Sequence, residues 1–347
     1  MTASSGSPRT DTGALATPPT APGSGSPSSL PTGPTAVLRR IGSSELTVFP
    51  VALSGTVFGW TTDGPTTTAI LDRFVERGGT FIDTADSYAG GRSEIMIGNW
   101  MRERGNRDSL TIATKIGKSA DNPGLSAPAV ERAVKASLQR LRLSHIDLLY
   151  LHIDDESVPF DETLLAVDEL IRAGHVRYFG GSHHTGNRLF EARIASGQLG
   201  VAPMVAVQNH YNLVHRDEYE GDLARVVAQL DLGVMPRFAL AGGFLTGKYR
   251  TRGDLERYRR GAEAAPHLNR HGLRLLSVMD RLAERSGTTV TTVGLSWLLS
   301  RPSVVAPVVS VSSADQLDAV MAAPWTALSR HELTELDRVS AERRTQR

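Results

Sequence analysis

From Val37 onward, short continuous apolar runs alternate with stretches whose apolar residues recur with a helical period. The runs are Val51–Ser54, Thr80–Thr84, Leu110–Lys115, Ile146–His152, Val176–Ser182, Met204–Asn209, Gly233–Leu240 and Val304–Val311. Each reads as a strand buried on both faces. Between them, Thr67–Arg77, Glu94–Arg104, Ala129–Leu141, Glu162–Ala173, Arg188–Ser196, Gly221–Leu230 and Leu273–Arg285 carry the apolar stripe of amphipathic helices. Arg77-Gly78-Gly79, Ala173-Gly174 and Ser286-Gly287 read as helix C-termini closed by glycine. Ser126-Ala-Pro128 reads as a capping residue followed by a first-turn proline. Thr288–Arg301 predicts an extra buried helix. Val37–Ile41 and Glu45–Val48, around Gly42-Ser43, predict a short N-terminal β-hairpin. The alternation favours an α/β fold, a (β/α)8 TIM barrel, with an open doubly wound sheet as the alternative.

Residues 1–35 break this texture, being rich in Ser, Pro, Thr, Gly and Ala. Such a segment buries too little apolar surface to offset its ordering entropy, so a disordered tail is expected, with a docking tail as the alternative. Residues 36–347 are then one barrel domain. The net charge of +1 removes the electrostatic case for a nucleic-acid partner. With no cysteine, disulfides, thiolate catalysis and cysteine-ligated metals are excluded. No apolar run approaches the ~20 residues of a spanning helix, and Met1–Gly13 has no apolar signal core. A cytoplasmic protein without membrane contact is the expectation.

In such a barrel the active site lies at the C-terminal ends of the strands. The second strand runs into Asp83-Thr-Ala-Asp86-Ser-Tyr88, the third ends at Lys115 and the fourth at His152. Lys115 can pair with Asp83, and an ammonium beside Tyr88 favours its phenolate. A tyrosine so tuned can protonate a developing alkoxide, and His152 can orient the same oxygen by a hydrogen bond. The set suits reduction of a carbonyl by a hydride donor. Taken singly, each residue has a plainer reading. Asp83 and Lys115 suit a structural ion pair, His152 a core histidine and Tyr88 a surface loop.

Several motifs resemble the aldo-keto reductases. They are Phe81-Ile-Asp83-Thr-Ala-Asp86-Ser-Tyr88 with Gly91-Arg-Ser-Glu94, Ile112-Ala-Thr-Lys115 and Asp147-Leu-Leu-Tyr-Leu-His152. Gly180-Gly-Ser182, Gln208-Asn-His-Tyr-Asn212 and Leu240-Ala-Gly-Gly-Phe-Leu-Thr-Gly-Lys-Tyr249 follow in order. The resemblance spans about residues 37–340, and the later motifs look closest to bacterial members related to potassium-channel β subunits. It implies a barrel that binds NADPH, with NADH possible, and no Rossmann motif; none is found. It implies Tyr88 as general acid, Lys115 and Asp83 as its tuning pair, and His152 as the carbonyl-positioning residue. By the same resemblance Ser182 and Gln208 hold the nicotinamide carboxamide, with His183 where the family carries Asn. Leu240, Gly243 and Lys248 then lie along the pyrophosphate, and Ser310, Ser312 and Gln316 near the adenosine end.

Arg237 stands where an aromatic residue usually stacks on the nicotinamide. A cation there disfavours the positively charged oxidised ring and biases the site toward the reduced cofactor. Val320 replaces a usual Asn, and the last motif lacks an obvious cation for a 2′-phosphate. Trp60 is a candidate wall of the substrate pocket, or a packed loop aromatic. The basic Arg250–Arg270 segment reads as a loop over the site that recognises an acidic group, or as a solvated face. His183, His184, His210 and His215 bring no carboxylate at a recognisable ligand spacing, so no metal is expected. The partner implied is a small-molecule carbonyl compound: an aldehyde, ketone or keto-sugar. The alternative is a nucleotide-sensing regulatory subunit with little turnover. Assembly state is not legible.

Overall fold

A computed structural model describes residues 1–2 and 38–341 of the 347. The tail expected at 1–35 lies almost wholly outside the described residues, as does Val37 of the hairpin. Eight parallel strands form one sheet: β3 (Ala52–Ser54), β4 (Phe81–Asp83), β5 (Thr111–Ile116), β6 (Ile146–Leu151), β7 (Val176–Ser182), β8 (Ala206–Gln208), β9 (Gly233–Val234) and β10 (Val308–Val309). They pair in chain order, with β10 beside β3. Closure between β9 and β10 rests on a parallel bridge from Val234 to Val304 and on Val308 N–H donating to Pro236 O at 2.9 Å. The sheet is therefore a barrel.

The helices α1 (Gly64–Glu76), α2 (Arg92–Arg104), α3 (Ala127–Leu141), α4 (Phe160–Arg172), α5 (Gly186–Leu199) and α6 (Asp222–Gln229) connect successive strands. The span from β9 to β10 holds α7 (Arg252–Arg257), α8 (Gly261–Ala264), α9 (Arg270–Arg285) and α10 (Val290–Leu299). Then α11 (Gln316–Met321) and α12 (Arg330–Ala341) complete the described chain. Helix ends at Gly78, Gly174 and Gly287 turn in left-handed backbone, which only glycine adopts freely. Ser126 occupies the N-cap of α3 without a side-chain capping bond; Glu162 instead accepts from the Ala127 amide at 2.8 Å. Two strands are much shorter than their apolar runs. Pro236 and Pro307 have no amide hydrogen for a ladder, so β9 and β10 shrink to two residues each.

Side-chain alternation along the strands divides the interior in two. Ile82, Ile112, Leu149, Leu151, Phe179 and Val207 face the helices. Phe81, Ala113, Leu148, Tyr150, Ala206 and Met235 fill the barrel. Two residues further along these inward rows stand Asp83, Lys115, His152 and Gln208. The period of two thus lifts polar side chains onto the C-terminal rim above an apolar plug. The hairpin β1 (Arg39–Arg40) and β2 (Thr47–Val48) closes the other end, adding Ile41, Leu46 and Val48 to the barrel interior. Its Gly42 sits at φ +49, where a Cβ would come within 2.3 Å of Val205 O. No helix among the described residues is long and apolar enough to cross a membrane.

Candidate active site

Asp83 and Lys115 are buried together at the rim, with Lys115 Nζ 2.6 Å from Asp83 Oδ2. The same ammonium donates to Thr84 O at 2.6 Å and lies 4.9 Å from the centre of the Tyr88 ring. Burial opposes the Lys115 charge, but Asp83 and Tyr88 outweigh it and hold the ammonium above the usual lysine range. Gln208 Nε2 donates to the other oxygen of Asp83 at 2.9 Å, so both carboxylate oxygens are occupied. An unpaired charge at this depth is costly, and this pairing makes it tolerable.

Tyr88 is half-buried on a tight turn after β4. The turn reverses through left-handed Ala89, Gly90 and Gly91, and a Cβ on Gly91 would meet the Arg140 side chain at 2.7 Å. Glu94, fully buried in α2, accepts from Thr114 Oγ1 at 2.6 Å and Arg140 Nε at 2.7 Å. Ser93 donates to Gly55 O at 2.8 Å. The Gly-Arg-Ser-Glu motif is therefore a clamp that ties the Tyr88 turn to β3 and β5. Burial, and then the nearby Glu94 charge, push Asp86 up to about 6.

His152 follows β6, and its amide donates to Ile116 O at 2.9 Å. Its ring meets Tyr88 edge-on at 6.1 Å between centroids. Burial, followed by Lys115, Lys118, His183 and Arg237, drives its pKa down to about 2, so the imidazole is neutral at any working pH. His183 takes a left-handed conformation at φ +64 just after β7. Its Nε2 lies 3.0 Å from Lys118 Nζ and its ring 6.2 Å from that of His152.

The remaining expected residues ring the same end of the barrel. Ser182 donates to Gln208 O at 2.8 Å, and Asn209 donates to His184 O at 3.0 Å, leaving Asn209 Oδ1 buried without a partner. Arg237, half-buried after β9, lies over Phe238 at 4.5 Å. Leu240 opens a turn in which Gly242, Gly243 and Gly247 are all left-handed. Lys248 packs against Tyr258 at 4.8 Å and reaches no carboxylate among the described residues. Ser310 follows β10, and Gln316 Oε1 accepts from the Ser312 amide at 3.0 Å. Val320 is buried in the core. Trp60 is 60% exposed, in a loop whose Gly59 approaches Ala89 of the Tyr88 turn.

Three features are not in the sequence reading. The Arg250–Arg270 segment contains α7 and α8 rather than a long loop, and Arg250 is tied to Asp280 at 2.7 Å. A carboxylate does join the histidines: the ligand atoms of His210, His215 and Glu218 lie within 4.8 Å of one another. His215 and Glu218 are three residues apart and already bonded at 3.0 Å, a pairing that i,i+3 spacing permits. Lys118 beside His183 is the third; its signal was a second lysine three residues after Lys115. A cleft of about 610 Å³ opens beside His183 and Asn209, with Glu218 in its wall.

The aldo/keto reductase family model matches residues 53–341. A norsolorinic acid reductase of Aspergillus flavus is 30% identical over 85% of this chain and 78% of its own length. A probable voltage-gated potassium channel subunit beta of Arabidopsis thaliana is 30% identical over 82% of this chain and 90% of its own. An uncharacterized oxidoreductase of Bacillus subtilis is 31% identical over 80% and 87%.

Proposed function

The chain belongs to the aldo/keto reductase family, and on that premise we propose that it reduces a carbonyl to an alcohol with NADPH, Tyr88 giving the proton. The observation that carries this reading is the buried Lys115 ammonium, anchored by Asp83 and set 4.9 Å from the Tyr88 ring. An oxidoreductase of this family is supported also by the names of two of the relatives above.

The rim residues fit a nicotinamide dinucleotide. Lys248, a cation without an ion pair, stands beside successive left-handed glycines whose amides suit phosphate oxygens. Leu240 and Gly243 complete that stretch, and Ser310, Ser312 and Gln316 would take the adenosine end. The buried orphan acceptor Asn209 Oδ1 suits a carboxamide N–H, in company with Ser182, His183 and Gln208. Arg237 would flank the nicotinamide ring. When bound, the reduced nicotinamide supplies the hydride.

The protein's own groups supply the rest. Neutral His152 donates an N–H to the substrate oxygen and orients it. Tyr88 O–H protonates that oxygen as it gains charge, and Lys115 offsets the phenolate left behind. Asp83, held by Gln208, keeps Lys115 charged and in place. Trp60 borders the carbonyl substrate, an aldehyde, ketone or keto-sugar. The test is a fluorescence titration with NADPH and NADH, followed by NADPH oxidation with an aldehyde panel. Tight NADPH binding with aldehyde-dependent oxidation is expected. Binding without turnover would favour a nucleotide-sensing subunit, and binding of neither cofactor would refute the reading.

A further inference from the structure

We propose that His210, His215 and Glu218, in the connection between β8 and α6, form a binding site for a divalent transition-metal ion of the zinc class. The inference does not depend on the reductase reading. One ligand atom from each of the three side chains lies within 4.8 Å of the other two. Two imidazoles and one carboxylate are a donor set that zinc and its neighbours favour, with a fourth position left to water. Magnesium, which prefers oxygen ligands in an octahedron, suits this set poorly. Glu218 is exposed and lines the cleft of about 610 Å³, which gives an ion a path from solvent.

The backbone itself brings the three groups together. His210 pairs with Arg237 in a parallel bridge just beyond β8. Asn212 and His215 then exchange both main-chain hydrogen bonds at 3.1 Å, which closes a turn. Asn212 is fully buried and pins that turn: its Oδ1 accepts from the Val214 amide at 2.9 Å and its Nδ2 donates to Phe238 O at 2.8 Å. The imidazoles of His210 and His215 are thereby set face to face, 3.7 Å between centroids. A second turn, in which Arg216 O accepts from the Tyr219 and Glu220 amides, returns Glu218 to within 3.0 Å of His215 Nε2. Little chain freedom is left to lose when the ion binds. The two rings lie only 13° from parallel, so they cannot both point at one ion as they stand. One must turn out of the stack, and His215 has the room, its side chain being 37% exposed. His210 stays packed against Phe238 at 5.2 Å. That rotation replaces the His215–Glu218 hydrogen bond by two bonds to the ion and draws the ligand atoms toward the ~3.3 Å separation of a tetrahedral site.

The experiment titrates the full chain, free of any affinity tag and dialysed after treatment with EDTA, with zinc chloride by calorimetry. Magnesium chloride is the control, and the melting temperature is followed in parallel. Zinc should bind and raise the melting temperature, while magnesium does neither. His215→Asn and Glu218→Gln should each weaken zinc binding by about tenfold or more and shrink the thermal shift. Both side chains reach solvent, so without zinc the variants should melt near the wild type. Should His215→Asn fail to fold, Glu218→Gln and Glu218→Ala decide the matter. Absence of zinc binding overturns the site. So does zinc binding of equal strength in the wild type and the variants, the result that scattered surface histidines would give. An equal response to magnesium would overturn the assignment to a transition metal.

Discussion

Gln208 donates its amide to Asp83 Oδ1 at 2.9 Å, on the side of the carboxylate opposite Lys115. This bond crosses the barrel from β8 to β4 and completes the satisfaction of a charge with no solvent contact. Gln208→Leu would leave that oxygen buried and unpaired, at a cost of about 1–3 kcal/mol. Urea unfolding of the variant should show that loss, whereas unchanged stability would mean that Asp83 does not depend on Gln208.

Lys115 and Asp83 should be strongly non-additive. Lys115→Met alone leaves an uncompensated buried carboxylate and should cost about 3–5 kcal/mol. Adding Asp83→Asn removes the orphaned charge and should return a large part of that loss. A double-mutant cycle by urea denaturation checks this, and simple addition of the two single effects would contradict it.

The protonation of His152 gives a pH dependence of defined sign. Free in the unfolded chain, its pKa is ~6.5; burial lowers it to about 2 in the folded protein. The unfolded state therefore binds the proton first as pH falls, and stability present above about pH 6.5 is lost below it. Asp86, raised from its usual value to about 6, works in the opposite sense below pH 6. Comparison with His152→Asn isolates the histidine. Between pH 7.5 and 5 the wild type should lose about 2 kcal/mol more than the variant. Parallel stability curves for the two proteins would refute this.

Arg237, proposed to flank the nicotinamide ring, carries a prediction for cofactor choice. A cation there raises the free energy of the oxidised, positively charged ring, so NADPH should bind about tenfold more tightly than NADP⁺. Arg237→Trp should level the two affinities. Equal affinities in the wild type would show that Arg237 does not face the ring.

The fold was largely legible because its cause is local. A run such as Ile146–Leu151, apolar but for Asp147 and short, reads as a strand covered on both faces, and every residue of it is buried. What failed was run length. Gly233–Leu240 is apolar but for Arg237, yet Pro236 removes a ladder donor and β9 stops at Val234. The rim positions of Asp83, Lys115 and His152 follow from alternation along strands, which sequence displays. Their partners do not. Gln208 reaches Asp83 across 125 residues, and Lys118 meets His183 across 65, at distances set by barrel closure. Glu94 was visible in a motif, but its work as a buried anchor for Thr114 and Arg140 depends on two further elements.

The most direct test of the central claim is Tyr88→Phe, assayed for NADPH binding by fluorescence and for aldehyde reduction in single turnover. The substitution removes only the hydroxyl, while the ring against Lys115 and His152 stays in place. NADPH affinity should match the wild type, and the reduction rate should fall by about 10²–10⁴-fold, the contribution of a positioned proton donor. A variant that reduces aldehydes at the wild-type rate would contradict the assignment of Tyr88 as the acid.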